Sequence, residues 1–222
     1  MKKKTIIIFF VILLLFFTIS YSQTDLKRFF DDFENGTAEN WQMNDPEKWD
    51  VVKEDNNHCY RLKIPAELKG PITKPVEFSL IKDLNVADFT MTLKGKCLRS
   101  VDVKGRDIII VFGYQDDTHF YYAHISNYHD NHHNSILIVN SEDRKPIISG
   151  DSIPRLHDKE FHNIRIRRHI ESGLIEVYVD DFDYPVMTAV DKTFQWGRIG
   201  VGCFDDTGSF DDVRIVGKIK SK

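Results

Sequence analysis

The sequence predicts an all-β domain built as a sandwich or barrel, and three observations carry that prediction. Short runs rich in β-branched and aromatic residues recur between clusters of Gly, Asp, Asn and Pro. Several runs alternate, as in Ile164-Arg165-Ile166-Arg167 and Ile175-Glu176-Val177-Tyr178-Val179-Asp180, which turns one face to a core and the other to water. Beyond residue 22 almost no stretch carries a helical period.

The N-terminus has a separate character. Lys2, Lys3 and Lys4 precede an unbroken apolar run over residues 6–17 and a polar stretch ending Ser20-Tyr21-Ser22-Gln23, the layout of a secretory signal peptide. Small residues at Ser20 and Ser22 place cleavage between Ser22 and Gln23. The other reading, a retained anchor, would have to cross a bilayer with roughly 12 apolar residues where roughly 20 are needed. Cys59 is the first cysteine, so no lipid-bearing cysteine sits at the cut. The expectation is an exported chain, periplasmic or extracellular, with a single domain over residues 23–222 and no stable membrane insertion after cleavage. Losing the three lysines takes the formal net charge from −4 to −7, and no basic block remains to track a phosphate backbone, so nucleic acid is not an expected partner. Asn35-Gly36-Thr37 matches a glycosylation sequon, but the leader has a bacterial style and the match is discounted. Three cysteines, Cys59, Cys97 and Cys203, allow either one disulfide of unassigned pairing or three buried thiols.

In chain order the clearest expected strands cover residues 89–93, 107–115, 120–126, 135–140, 163–168, 174–180, 198–204 and 211–216. The second and third form a hairpin around Asp116-Asp117-Thr118-His119. Pairing Gln115 with Phe120 sets Tyr114 opposite Tyr121, Phe112 opposite Ala123 and Ile110 opposite Ile125, and these six are expected to face the core. The opposite face then carries Gln115, Gly113 and Val111 beside Phe120, Tyr122, His124 and Ser126. A ring, an imidazole and an amide beside a glycine gap suit a sugar, whose C–H face stacks on rings while its hydroxyls take directed hydrogen bonds. The alternative is that Tyr122 and His124 only cover the sheet.

The next loop, Tyr128-His129-Asp130-Asn131-His132-His133-Asn134, gathers three of the nine histidines, ahead of Asn140 and Arg144. Three readings stand: a transition-metal site, which lacks regular zinc spacing; a catalytic group, with His as base or acid, Tyr122 as partner and Arg144 or Arg167 neutralising a uronate carboxylate; or a solvated polar loop. A second constellation joins the two ends of the domain, Phe30-Asp31-Asp32-Phe33-Glu34-Asn35-Gly36 and Asp205-Asp206-Thr207-Gly208-Ser209-Phe210-Asp211-Asp212-Val213. If the first and last strands are neighbours, Glu34, the Gly36 carbonyl and Asp211 or Asp212 are candidate ligands for a structural Ca²⁺. Two acidic turns are the alternative.

These segments, with Trp41, Phe112-Gly113-Tyr114-Gln115-Asp116, Phe120-Tyr121-Tyr122, Phe161-His162-Asn163-Ile164-Arg165-Ile166 and Gly200-Val201-Gly202, resemble the concanavalin A-like, laminin-G-like jelly-roll superfamily over nearly the whole mature chain. Phe161 stands where that pattern usually has Trp. The resemblance implies a two-sheet antiparallel jelly-roll sandwich, a ligand groove on the concave sheet and a Ca²⁺ where the termini meet. That superfamily includes lectin-like modules, glycoside hydrolases and polysaccharide lyases, and fold does not decide among them.

The paired-carboxylate signature Glu-x-Asp-x-x-Glu is absent from the expected strands. Glu176 and Asp180, the nearest same-face pair, lie roughly 13 Å apart along a strand, too far for a retaining glycosidase. The expected function is therefore a secreted carbohydrate-binding protein of polysaccharide utilisation that takes a polysaccharide or oligosaccharide. Its expected substrate-binding residues are Gln115, Tyr122, His124, Asn134, Asn140 and Arg167. The alternative enzyme is a small polysaccharide lyase using His124, Tyr122, His133 and Arg144. A protein-interaction module is the third reading.

Overall fold

A computed structural model describes residues 26–68 and 70–219; the expected leader and its cleavage point lie outside them. The eight expected runs are all strands, and seven further strands join them. Numbered along the chain, one eight-stranded sheet runs β13 (Met187–Val190), β12 (Leu174–Val179), β11 (His162–His169), β6 (Val86–Cys97), β15 (Gly208–Ile219), β4 (Asn57–Leu62) and β3 (Trp49–Glu54), with β1 (Leu26–Asp31) also pairing on β15. The seven-stranded sheet runs β10 (Lys145–Pro146), β9 (Ser135–Asn140), β8 (His119–Ser126), β7 (Asp107–Asp116), β14 (Arg198–Cys203), β5 (Glu77–Ile81) and β2 (Trp41–Met43). Every strand pair is antiparallel, and the described residues contain no α-helix. The chain is a two-sheet jelly-roll sandwich.

Alternation builds the core. Met91 and Leu93 of β6, Ile164 and Ile166 of β11, and Ile175, Val177 and Val179 of β12 point inward. There they meet Ile108, Ile110 and Phe112 of β7 and Tyr121, Ala123 and Ile125 of β8. At one end Trp49, Tyr60 and Phe33 stack, with ring centroids 4.6 and 5.2 Å apart across Tyr60. Arg168 follows the inward parity of β11 and is buried, but its guanidinium donates to the carbonyls of Gly173 at 2.5 Å, Asp191 at 2.8 Å and Phe194 at 3.3 Å. Those bonds make the buried charge tolerable. The ends of the chain meet as expected, since β1 pairs β15 from Leu26↔Lys218 to Asp31↔Val213. Cys59, Cys97 and Cys203 are all buried free thiols.

The hairpin corrects one expectation. Asp116 pairs His119 as anticipated, but a bulge shifts the register by two, so that Phe112 faces Tyr121 and Ile110 faces Ala123. A slip of two preserves which face each side chain takes. Ile110, Phe112, Tyr121, Ala123 and Ile125 therefore still point inward, whereas Tyr114, beyond the bulge, joins the outer face. Gly113 makes this possible with a φ of +59°, a region that other residues rarely adopt.

Candidate functional site

The sandwich has two outward faces, and they differ. On the seven-stranded sheet, the expected sugar platform is sealed. Phe78, Leu80, Ile109, Val111, Phe120, Tyr122, Leu137, Val139 and Phe204 form a second apolar cluster, with Ile72 and Tyr114 packed against it. Tyr122 and His124 are both 0% exposed. The segment that carries Ile72 is tied down from the side, because Thr73 donates its N–H to Asp143 Oδ1 at 2.6 Å and accepts from the Arg144 N–H at 3.0 Å. Gln115 turns away from any ligand and donates to the carbonyls of Gly113 and Trp196, bracing the bulge. The gap at Gly113 opens inward, onto the Tyr121 ring and Phe194.

The four residues of the lyase reading do come together, with Tyr122 and His124 buried and His133 and Arg144 half-buried. Arg144 donates to the Tyr122 hydroxyl at 3.3 Å and lies 3.8 Å over the Phe204 ring. His124 stacks on Phe204 at 5.6 Å and lies 5.3 Å from the ring of His133. Burial pushes the Tyr122 hydroxyl well above the usual tyrosine range. The histidine loop is closed by Asp130, whose Oδ1 accepts the N–H groups of His132 and His133 at 2.7 Å each and whose Oδ2 lies 2.9 Å from His133 Nδ1. Burial works against the Asp130 carboxylate, but these bonds outweigh it and hold its pKa far below the ordinary value. Asn134 is buried at a φ of +48° and accepts from the Ser126 N–H, which makes it a turn residue. Asn140 lies apart, in a small surface hollow with Glu142, Asp143 and Lys145.

The four expected Ca²⁺ ligands are not drawn into one shell. Glu34 accepts from the His58 N–H at 2.8 Å and faces its ring at 3.2 Å. Asp211 accepts from Asn57 Nδ2 at 3.0 Å, Asp212 pairs with Lys94 at 2.7 Å, and Gly36 closes a turn onto the Phe33 carbonyl. Among the described residues, the acidic side chains that converge are Asp107, Asp205 and Asp206, their ligand atoms within 4.8 Å of one another.

The eight-stranded sheet presents an open polar face. Pairing of β6, β11, β12 and β15 lays Arg214, Thr92, Arg165 and Tyr178 in one row across four strands, and Val216, Thr90, Arg167 and Glu176 in the next. Arg167 sits 3.5 Å from Glu176, which also accepts from the Tyr178 hydroxyl at 3.0 Å. Arg165 differs from its neighbours. Its guanidinium lies flat, 3.9 Å over the Phe182 ring, and meets no carboxylate among the described residues. With Thr92, Lys94, Asn163, Phe182, Asp212 and Arg214 it lines an open depression of about 320 Å³. Of this face the sequence picked out Arg167 for sugar binding and Asp212 as a Ca²⁺ ligand, but not Arg165. The signal for Arg165 was present in the wet side of the β11 alternation, but its neighbours come from strands far away in sequence. At the rim, His162 Nδ1 lies 2.8 Å from Asp180 Oδ2 and the Asn163 N–H donates to Asp180 Oδ1 at 3.0 Å. Asp180 therefore anchors the end of β12.

Solved structures share this architecture. A carbohydrate-binding module, CBM66, from Bacillus subtilis matches with a TM-score of 0.55 at 18% identity, over 79% of this chain and 94% of that one. A putative glycosyl hydrolase from Parabacteroides distasonis matches with a TM-score of 0.53 at 14% identity, over 80% and 93%. The basic winged bean lectin, solved with Tn-antigen, matches with a TM-score of 0.57 at 10% identity, over 89% and 100%. No protein-family model and no curated protein matches the sequence. At such identities the likeness is one of fold, and this chain shares the two-sheet jelly-roll sandwich of these structures.

Proposed function

We propose that this chain is an exported carbohydrate-binding protein of polysaccharide utilisation, and that it holds an acidic glycan across the open face of its eight-stranded sheet. The observation that carries this reading is Arg165: a guanidinium at the centre of an open β face, oriented by a ring and without a carboxylate partner among the described residues. A planar guanidinium suits a uronate carboxylate or a sulfate, which it grips through two parallel N–H bonds. Thr90, Thr92 and Asn163 lie around it with hydroxyl and amide groups of the kind that bind sugar hydroxyls. The carbohydrate-binding module and the lectin among the structural neighbours support the same reading. Among the described residues no helix is long and apolar enough to cross a membrane.

The test is retardation of the mature protein in gels containing neutral, uronate or sulfated polysaccharides, with Arg165→Ala run alongside. We expect retention by acidic polymers, weakening with salt and lost in the variant. Retention by neutral polymers alone, or an unchanged Arg165→Ala, would overturn the reading. The gathering of Tyr122, His124, His133 and Arg144 is the one observation that favours a lyase, and the full burial of Tyr122 and His124 weighs against it. The same incubations decide: unsaturated ends absorbing near ~235 nm would make the protein a lyase.

A further inference from the structure

The end of the seven-stranded sheet carries a group of side chains that neither glycan binding nor the fold accounts for. Asp107 opens β7, His124 lies across from Ile109 on β8, and Asp205 and Asp206 follow β14. Asp107 is 0% exposed. Its Oδ1 accepts the Phe204 N–H at 2.8 Å, while its Oδ2 is buried with no hydrogen-bond partner. His124 is equally buried, and neither ring nitrogen finds a partner; Nε2 points to within 3.4 Å of Asp107 Oδ2 without the alignment of a hydrogen bond. A buried polar atom left unsatisfied costs about 1–3 kcal/mol, and three in one place call for an explanation.

We propose that Asp107, Asp205 and Asp206 bind one divalent metal ion beside the buried His124. The three carboxylates present oxygens within 4.8 Å of one another, and the orphaned imidazole, outside that group, aims Nε2 at Asp107 Oδ2 from the buried side at 3.4 Å. Asp205 is the exposed member and forms the entrance. Asp206 is held in place by Arg99, 2.6 Å from Oδ1, and by the Asp107 N–H, 2.8 Å from Oδ2. A shell of carboxylates suits hard divalent cations such as Mn²⁺ and Ca²⁺. The electrostatics agree. Burial first and the charge of Asp107 second push the carboxyls of Asp205 and Asp206 above the usual range, so this group favours positive charge beyond that of Arg99. Such an ion would tie β7 to the turn between β14 and β15 at the end of the sheet.

The rival account is a proton: a charged His124 paired with Asp107 and a proton shared among the carboxylates. Titration of the chelator-treated mature protein with Mn²⁺, Zn²⁺ and Ca²⁺ by calorimetry, with melting curves, separates the two. We expect one Mn²⁺ or Ca²⁺ per chain, a higher melting temperature on binding, and affinity weakened about tenfold or more in Asp205→Asn and, through the contact with Asp107, in His124→Gln. Asp205 is exposed, so Asp205→Asn remains informative if His124→Gln misfolds. His132→Ala and Arg165→Ala are expected to leave the metal affinity unchanged. No saturable binding, or binding untouched by Asp205→Asn, overturns the site. Binding lost only in His132→Ala would move the ion to the histidine loop and overturn it as well.

Discussion

The two outward faces of the sandwich are made by the same alternation and reach opposite ends. On β7 and β8 the outward positions are Ile109, Val111, Phe120 and Tyr122, and they are covered until nothing of them is exposed. On β6 and β11 the outward positions are Thr90, Thr92, Arg165 and Arg167, and they stay wet. A sheet apolar on both sides needs a third layer, here supplied by Ile72, Phe204 and the 141–145 turn. A sheet apolar on one side leaves its other face for a ligand. The aromatic residues that look most like a sugar platform are thus structural, and the candidate binding face is the charged one.

The largest break in this contrast comes from the sealed side. Phe120→Ala removes a ring in contact range of Phe78, Tyr114 and Tyr122, at centroid distances of 5.8, 5.9 and 6.3 Å. It should cost about 3–5 kcal/mol in denaturant unfolding; a loss below about 1 kcal/mol would mean that the cover does not pack. Next comes the histidine loop. Asp130→Ala deletes the acceptor for two backbone N–H groups, and a loss of about 1–2 kcal/mol is expected. Because the folded Asp130 carboxyl titrates far below its ordinary value of 3.8, its contribution is complete above that value and is lost as the pH falls through and below it. Melting temperatures of wild type and variant should therefore converge at acid pH. Smaller still, and opposite in sign, is Asp205, whose carboxyl is raised. In chelator, acidification toward pH ~4 relieves first the burial of its charge and second its repulsion with Asp107, so wild type gains stability there relative to Asp205→Asn. A difference that stays flat with pH would mean that the carboxyl is not raised.

Much of the fold was legible because the long central strands alternate: all eight runs read from the sequence are strands. The strands that were missed are short, peripheral or polar, such as β10 over Lys145–Pro146 and β2 over Trp41–Met43, where pairing decides and local pattern does not. The site was harder. Tyr122 and His124 were placed on the correct face of β8, but whether that face is open depends on Ile72 and Phe204, which arrive from remote segments. Tyr114 was misplaced because one bulge at Gly113 carries no pattern of its own. Asp205 and Asp206 were visible as an acidic turn, whereas Asp107 joins them only through the pairing of β14 with β7.

The smallest expected change in stability is the sharpest test of the open face. Arg165 forms no ion pair among the described residues, so removing its charge orphans no buried group and forfeits only its contact with Phe182. Arg165→Ala and Arg165→Lys should both unfold within about 0.5 kcal/mol of wild type. Their glycan retention should nevertheless separate. Lysine keeps the charge but not the planar fork, and an ammonium binds a carboxylate as a point charge. Arg165→Lys is therefore expected to retain weaker and more salt-sensitive binding to uronate polymers, and Arg165→Ala none. If lysine restores full binding, the face acts only as a diffuse cationic surface. A drop in stability comparable to that of Phe120→Ala would show instead that Arg165 serves the fold, and the distinction between the two faces would fail where it matters most.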